Sequence, residues 1–279
     1  MLELKRNEKG ITLPIVTKGV EKVCKPEDIV FFFRNCFAPK ERKFKMILLM
    51  QLGCACRIRE ACAINLKDFH KDSSFRKLSM LIQKKAWTIN GKVLGKNLIV
   101  TKIIPESIAA HIRSWILDNW EWINENQGYI FPGSSRHKTS YLDPLVIQRW
   151  FCGKRKQLVS LFPGRGFDKT IGMRKYKKQQ LGVHYETTEY YHLWSSHMMK
   201  RFAGTYTYLM TKDPVFVQHL LAHDKIETTN KFYIDPLRVA DNRKQELIKN
   251  KLFDEDFYKA ITGENDKVTA VWEVLRKKK

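Results

Sequence analysis

Apolar residues recur at helical spacing near the start of the chain. The runs at residues 28–37 and 41–56 carry apolar side chains at intervals of three and four, and residues 57–66 continue the pattern. Pro26 and the two acids that follow it precede the first run. A proline fits the first turn of a helix, and acids complement the positive end of the helix dipole. The pattern predicts three helices before any strand.

Two strand-like segments follow these helices. Leu78 to Trp87 and Leu94 to Ile104 are rich in Ile, Leu and Val, and Asn90-Gly91 lies between them. Asn-Gly between two apolar runs is the strongest short-range hairpin signal, because both residues adopt the positive φ of a type I′ turn. The segments therefore predict a long two-stranded ribbon.

Helical periodicity returns after the ribbon and dominates the rest of the chain. The predicted helices run from Pro105 to about Asn124, Asp143 to about Leu161, Ser195 to Met210, Asp213 to Ala222 and Asp235 to about Lys251. The predicted fold class is mainly α with a small antiparallel β-sheet, an α+β fold. We expect a basic arm or linker remnant at residues 1–25, a main domain at 26–252 and a helical tail at 253–279.

Residues 163–182 interrupt the apolar pattern with six cations, which are interspersed with Gly164, Gly166 and Gly172. Glycines favour an irregular backbone, so we interpret this segment as a mobile basic loop. Six cations against the single carboxylate of Asp168 favour contact with phosphate over a plain solvated surface. The candidate DNA-binding residues are Arg165, Lys169, Arg174, Lys175, Lys177 and Lys178.

The charge of the whole chain points to a polyanionic partner. Its 279 residues, 43% of them hydrophobic, are enough to bury a core, so a disordered basic tail is excluded. Lys and Arg number 51 against 29 Asp and Glu, which leaves a formal charge of +22. Such an excess is typical of nucleic-acid binding, and DNA is the polyanion that we expect. The N-terminus has no apolar signal region and no segment is apolar enough to span a membrane, so we expect a cytoplasmic protein.

The six cysteines do not predict a metal site or disulfides. They form no CxxC pair and no Cys/His block with the spacing of zinc ligands. Cys54, Cys56 and Cys62 lie among Leu, Ala and Ile, which favours buried free thiols in a reducing compartment. We predict no metal and no cofactor.

A first motif contains an arginine. The stretch from Leu52 to Phe69, with Arg57-Ile58-Arg59-Glu60 at its centre, resembles the first arginine block of the tyrosine recombinase (phage-type integrase) family. The planar fork of Arg57 could hold two phosphate oxygens at once, and Glu60 could orient it. The alternative is an ordinary helix with a surface Arg–Glu pair.

A second motif resembles the same family more specifically. Val217-Gln218-His219-Leu220-Leu221-Ala222-His223 is similar to Val-Gln-x-Leu-Leu-Gly-His, and Ile226-Glu227-Thr228-Thr229 to Ile-x-Thr-Thr. The commonest family pattern places its tyrosine where this chain has Phe232, and Tyr233 follows at once. An aromatic residue before the tyrosine resembles the archaeal-virus integrase branch. The resemblance implies that His223 and Tyr233 are catalytic, and a buried core tyrosine is the alternative.

A third motif departs from the family. His197-Met198-Met199-Lys200-Arg201 aligns with His-x-Leu-Arg-His, so Lys200 stands where the second arginine belongs. Lysine keeps the charge but loses the bidentate fork. Either Lys200 fills the role, or Arg201 does so with a helix start shifted by one residue, or the site is impaired.

The family also places a general-acid lysine on its β-hairpin, and Lys85, at the end of the first predicted strand, is our candidate. Neighbouring cations and partial burial readily lower a lysine pKa, which suits acid–base work. A plain surface lysine is the alternative.

Taken together, the resemblance spans roughly residues 40–250 and implies a tyrosine recombinase catalytic-domain fold. It implies a site-specific recombinase or integrase that forms a 3′-phosphotyrosyl intermediate without metal, on double-stranded DNA, as a homo-oligomer. The alternatives are a type IB topoisomerase-like enzyme and a catalytically impaired DNA-binding relative. About 25 residues ahead of Pro26 are too few for the helical domain that usually precedes the catalytic one. We therefore expect either an isolated catalytic domain or a minimal recombinase.

Overall fold

The computed structural model describes nine segments of the chain. These are residues 24–70, 74–83, 87–89, 92–94, 97–133, 141–180, 183–223, 225–230 and 255–262.

Three α-helices precede the first strand, as predicted. They are α1 (Pro26–Asn35), α2 (Arg42–Cys54) and α3 (Ile58–Cys62). Single 3₁₀ turns at Pro39–Glu41 and Leu66–Asp68 join them to their neighbours. Ala55 ends α2 in the left-handed conformation with φ 50°, and this reversal leads directly into the extended backbone of Arg57.

The predicted ribbon is confirmed. Strand β1 (Lys77–Gln83) pairs antiparallel with β4 (Asn97–Ile103), and β2 (Trp87–Ile89) pairs with β3 (Lys92–Leu94). Alternation along β1 buries Leu78, Met80 and Ile82 and exposes Leu81. The ribbon thus has one face on the core.

Helices form most of the remaining described chain. They are α4 (Glu106–Asp118), α5 (Trp120–Glu125), α6 (Pro144–Leu161), α7 (Met198–Thr211), α8 (Pro214–Leu221), α9 (Ile226–Thr229) and α10 (Glu255–Thr262). The single helix expected from Pro105 to Asn124 is wrong in one respect. It is interrupted at Asn119, whose side-chain amide donates a hydrogen bond to the Trp115 carbonyl. The helix predicted over 235–251 lies outside the described residues.

The interpretation of residues 163–182 as a mobile loop is wrong. Strand β5 (Thr170–Gln180) pairs antiparallel with β6 (Val183–His192) in a second, long hairpin. Cations and glycines hide the strand character of β5, but β6 is rich in the aromatic and β-branched residues that favour strands. The partner strand therefore supplies the β-forming preference.

Aromatic rings form the centre of the core. The ring centroid of Phe32 on α1 lies 5.8 Å from that of Phe151 on α6 and 5.2 Å from that of Trp194 before α7. The three cysteines expected to be buried free thiols, Cys54, Cys56 and Cys62, are buried and free.

The last described helix completes this core. Helix α10 packs against α1 and α4, and Phe257 stacks on Phe202 of α7 with centroids 5.8 Å apart. The Arg34 guanidinium on α1 donates a hydrogen bond to the Ala260 carbonyl. The tail expected at 253–279 thus starts with a helix that shares the core, whereas the domain boundary itself stays a prediction. Among the described residues, no helix combines the length and apolarity that crossing a membrane requires.

Candidate active site

Arg57 is fixed at the start of α3 by one carboxylate. Its backbone N–H donates to Oε2 of Glu60 at 2.6 Å, and its guanidinium Nη1 donates to Oε1 at 2.9 Å. An acid at the third helical position commonly reaches back to the cap in this way. The Glu60 side chain is 7% exposed and that of Arg57 is 46% exposed. The arrangement anchors one side of the guanidinium and leaves the rest accessible.

Lys200 lies in the first turn of α7 and points into the protein. It is 4% exposed, and its Nζ donates to the Leu221 carbonyl at the end of α8 at 2.8 Å. Burial above all, and then the charge of Arg57, lower the pKa of Lys200 to about 8, and Glu60 opposes both. Lys200 therefore shares an electrostatic environment with the Arg57–Glu60 pair.

Arg201 points elsewhere. Consecutive helical residues diverge by about 100°, since a turn holds 3.6 residues. Burial and the nearby Asp28 carboxylate raise the pKa of the Cys24 thiol, while the charges of Arg201 and Lys169 oppose that rise. Lys200 thus contacts α8, whereas the charge of Arg201 acts on Cys24 ahead of α1 and on His197.

His223 follows α8 directly and its ring is held by α9. Its Nδ1 lies 3.0 Å from the hydroxyl of Thr229, which is fully buried. Burial above all, together with the charges of Lys200, Arg57 and Lys102, lowers the pKa of His223 to about 4. His223 is therefore a neutral imidazole at neutral pH, able to donate one hydrogen bond.

His197 occupies the N-cap position of α7 without a side-chain capping hydrogen bond, and the residue is exposed. Desolvation by surrounding protein atoms, and then the charges of Arg201, Lys200 and Arg57, lower its pKa. The ring thus lies within electrostatic reach of both candidates for the second arginine role.

Lys102 is a member of this cluster that the sequence analysis missed. It lies on β4 opposite Leu78, is 3% exposed, and its Nζ donates a hydrogen bond to the Leu220 carbonyl. Burial lowers its pKa, while Cys54, Cys56 and Glu60 oppose the shift. A signal was present, because strand alternation places residue 102 on the same inward face as apolar positions of β4.

The remaining candidates are placed only in part. Lys85 and Tyr233 lie outside the described residues. Arg165 stacks its guanidinium 4.0 Å from the centre of the Phe31 ring and lies 3.9 Å from the Asp28 carboxylate. The backbones of Arg174, Lys175, Lys177 and Lys178 belong to β5.

Comparison with known proteins gives matches in structure and none in sequence. No protein-family model matches the chain, and no curated protein matches it in sequence. The XerH site-specific recombinase, in a pre-cleavage complex with its difH substrate, matches with a TM-score of 0.50 and 15% identity over 85% of this chain and 58% of that one.

Two further solved structures fall below that level. XerA recombinase matches with a TM-score of 0.47 and 16% identity over 79% of this chain and 62% of its own. The Tn1549 transposon integrase, in complex with transposon right end DNA, matches with 0.48 and 14% identity over 82% and 68%.

Of these three, the XerH match carries the assignment of the fold. The chain has the fold of a tyrosine recombinase catalytic domain, mainly helical with small antiparallel sheets, so the predicted fold class is confirmed. It spans about three fifths of the length of the XerH chain.

Proposed function

We propose that this chain is a site-specific DNA recombinase that cleaves and rejoins DNA through a 3′-phosphotyrosyl intermediate. Arg57, Lys200 and His223 come from three separate parts of the chain. The observation that carries the proposal is that they lie within electrostatic reach of one another. Each of the three belongs to a motif that resembles the tyrosine recombinase family. The fold supports the proposal as well.

The charge of the cluster suits a phosphodiester. Arg57, Lys102 and Lys200 are three cations, and Glu60 is the carboxylate that faces them, so the cluster has an excess of two positive charges. The pentacoordinate transition state of phosphoryl transfer carries more negative charge than the bound phosphodiester. Cations held in place beforehand stabilise it, and one such donor is typically worth about 2.7–4 kcal/mol of the barrier.

In the proposed reaction, Tyr233 gives up its phenolic proton to solvent water as its oxygen attacks the scissile phosphorus, a P–O bond to that oxygen forms, and the bond to the 5′ oxygen breaks. Arg57 holds the non-bridging oxygens of the phosphate, and Glu60 orients Arg57. Lys200 contributes positive charge from the protein interior. His223 donates a hydrogen bond as a neutral imidazole, and Lys85 gives its proton to the leaving 5′ oxygen. His197 lies at the rim and completes the set.

Two other tyrosines, Tyr206 and Tyr208, lie on α7 and are alternatives to Tyr233 as the nucleophile. Tyr206 on α7 is buried against Phe202, with ring centroids 4.1 Å apart, and burial raises its pKa. A buried phenol that holds its proton this firmly is unsuited to attack on DNA. Tyr208 is partly buried and packs against the core.

The proposed partner is double-stranded DNA, on which the chain acts as a homo-oligomer. The formal charge of +22 supports a polyanionic partner, and the structure of XerH holds that recombinase bound to its difH substrate. The Phe232-Tyr233 pair supports a relationship to the archaeal-virus integrase branch, which stays a proposal.

Trapping of a covalent adduct tests the proposal. Purified protein is incubated with nicked duplexes from the flanks of its own gene, and the protein–DNA bond is detected on a denaturing gel. We expect an adduct with the wild type and with the control Tyr190→Phe, because Tyr190 is an exposed tyrosine on β6. Tyr233→Phe should form none, with DNA affinity within a few-fold of wild type, since no cation is removed.

Each other result points to a different function. An adduct that survives in Tyr233→Phe removes Tyr233 as the nucleophile. DNA binding with no adduct on any nicked duplex indicates the catalytically impaired relative. A change of linking number without the joining of two different duplexes indicates the topoisomerase-like enzyme.

A further inference from the structure

The C-terminal end of α8 receives two buried ammonium groups from different parts of the chain. Nζ of Lys102 on β4 donates to the carbonyl of Leu220, and Nζ of Lys200 on α7 donates to that of Leu221. The last carbonyls of a helix have no partner within the helix and carry partial negative charge, so cations are favourable there. The two lysines together form a cap on this helix end.

The capped helix end leads straight into the candidate active site. Ala222 follows with φ 53°, a left-handed conformation that ends α8, and His223 comes next. The backbone of His223 is tied back to α8, since its N–H donates to the Gln218 carbonyl at 3.0 Å and its carbonyl accepts from the Gln218 amide at 3.1 Å. Any movement of the end of α8 therefore moves His223.

Burying the Lys102 ammonium group at this position costs free energy. It faces inward on a strand whose partner residues Leu78 and Met80 are buried, where an apolar side chain would pack without loss of hydration. A buried ammonium group must be offset by acceptors and by nearby negative charge. The Leu220 carbonyl provides the first, and Glu60 lies close enough to provide the second.

We propose that Lys102 is a positioning residue of the candidate active site, which, together with Lys200, clamps the end of α8 and fixes the His223 ring between Thr229 and the cation cluster. Lys102 does not itself need to touch DNA in this role. A role of the clamp in catalysis rests on the proposed function. The hydrogen bonds from the two lysines to α8 do not depend on that function.

Burial is the largest cause of the lowered pKa of His223, and the charges of the clamp lysines add to it. The charged groups that act on the ring are Lys200 from α7, Arg57 from the start of α3 and Lys102 from β4, and all three disfavour its protonation. Glu60 is bound to Arg57. Because these cations act together, removing the charge of Lys102 should raise the pKa of His223.

Histidine NMR on the full chain tests the clamp without any need for activity. The variants are Lys102→Gln, which can still donate to the Leu220 carbonyl but is neutral, Lys102→Met, and Lys102→Arg, which keeps the charge. Lys77→Met is the matched control, because Lys77 lies on the same ribbon and is exposed. His223→Asn assigns the signal, and imidazoles remote from the site are internal references.

In the wild type, the control and Lys102→Arg, we expect the His223 ring to stay neutral down to about pH 5. In both neutral variants its titration should move to higher pH, and in Lys102→Met the ring should also lose its fixed tautomer. An unshifted titration together with an unchanged tautomer in folded Lys102→Met overturns the proposal, even if the variant is less stable, because Lys102 then does not position the ring. If Lys102→Met does not fold, the wild type decides, and titration of His223 near its ordinary pKa of 6.5 overturns the proposal.

Different results would overturn the proposed recombinase function and the proposed clamp. Absence of any covalent adduct in the wild type removes the proposed function and leaves the His223 titration unaffected. An adduct in the wild type together with an unshifted titration and an unchanged tautomer in folded Lys102→Met removes the clamp and keeps the recombinase.

Discussion

What Lys200 can do, in the second arginine role that we propose for it, is decided by its surroundings. Lys200 is buried, bound to the Leu221 carbonyl and close to Arg57, whereas the charge of Arg201 acts on Cys24 and His197. These contacts support the proposal for Lys200. An ammonium group with a lowered pKa stabilises a phosphate only while it holds its proton, so in the proposed reaction the lysine makes cleavage sensitive to alkali.

The first prediction concerns that sensitivity. At subsaturating DNA, the rate of cleavage should fall as the pH rises through about 8. The pKa of Lys200 in the protein without DNA is about 8, and the positive charge of its side chain is lost above that pH. Under these conditions the pH profile reports the free enzyme. Lys200→Arg should flatten the alkaline fall, since arginine keeps its charge throughout. The measurement is single-turnover cleavage of one nicked duplex from pH 6 to about 10.

Alanine variants separate the two basic residues. Lys200→Ala should slow cleavage by about 10²–10³-fold, the usual cost of one preorganised donor, and Arg201→Ala should cost less and keep the alkaline fall. A larger loss in Arg201→Ala would assign the role to Arg201 instead. An alkaline fall that persists in Lys200→Arg would show that another group titrates.

At the scale of elements, the two hairpins show what the sequence reveals and what it hides. Asn90-Gly91 and its apolar flanks predicted the first ribbon, because that turn chemistry is local. Strand β5 was missed, since its pairing with β6 outweighs the poor strand preference of its own residues. Lys102 was missed for a related reason. Its acceptor Leu220 is 118 positions away in sequence, so strand alternation indicates the inward face of β4 but not the contact that allows a lysine there.

The second prediction concerns the hairpin of β5 and β6. Positions 174 and 178 lie on one face of β5 and positions 175 and 177 on the other, because residues alternate along a strand. We expect only one of the double variants Arg174→Glu/Lys178→Glu and Lys175→Glu/Lys177→Glu to flatten the salt dependence of DNA binding. The log–log slope should fall by about 0.9 for each phosphate that the variant no longer neutralises. The other pair is the matched control, and equal slopes for both pairs and wild type would place the hairpin away from DNA.

The third prediction concerns the end of α8. Ala222 adopts φ 53°, where a Cβ is unfavourable and the family motif has glycine. Ala222→Gly should therefore raise the free energy of unfolding by up to about 1 kcal/mol. Ala109→Gly in the interior of α4 should lower it by about 1 kcal/mol, as glycine does in a helix. Urea denaturation measures both, and a loss of stability in Ala222→Gly would contradict the argument.

At the scale of the whole molecule, one core joins the beginning and the end of the described chain. Helix α10 contacts α1 and α4, and its Phe257 is 5% exposed and stacks on Phe202. The sequence predicted a helical tail over residues 253–279, of which the structure describes residues 255–262. The side chains that join α10 to the core, Phe257, Tyr258 and Ile261, are buried.

The fourth prediction tests whether α10 belongs to the folded unit. Phe257→Ala should lower the free energy of unfolding by about 3–5 kcal/mol, the usual cost of removing a buried phenylalanine. Phe216→Ala on α8 is the control and should change it little, because Phe216 is 51% exposed. Equal small losses in both variants, measured by urea denaturation, would mean that α10 is a detachable tail.

The contact between α1 and α10 also has a consequence for synthesis in the cell. Arg34 and Ala260 are separated by 226 positions, and a ribosome adds about 5–20 residues per second. Roughly 10–45 s of translation therefore separate α1 from the helix that covers it. During that interval the emerging chain presents an incomplete aromatic core to other molecules. The yield of folded protein then depends on how well chaperones shield the unfinished chain.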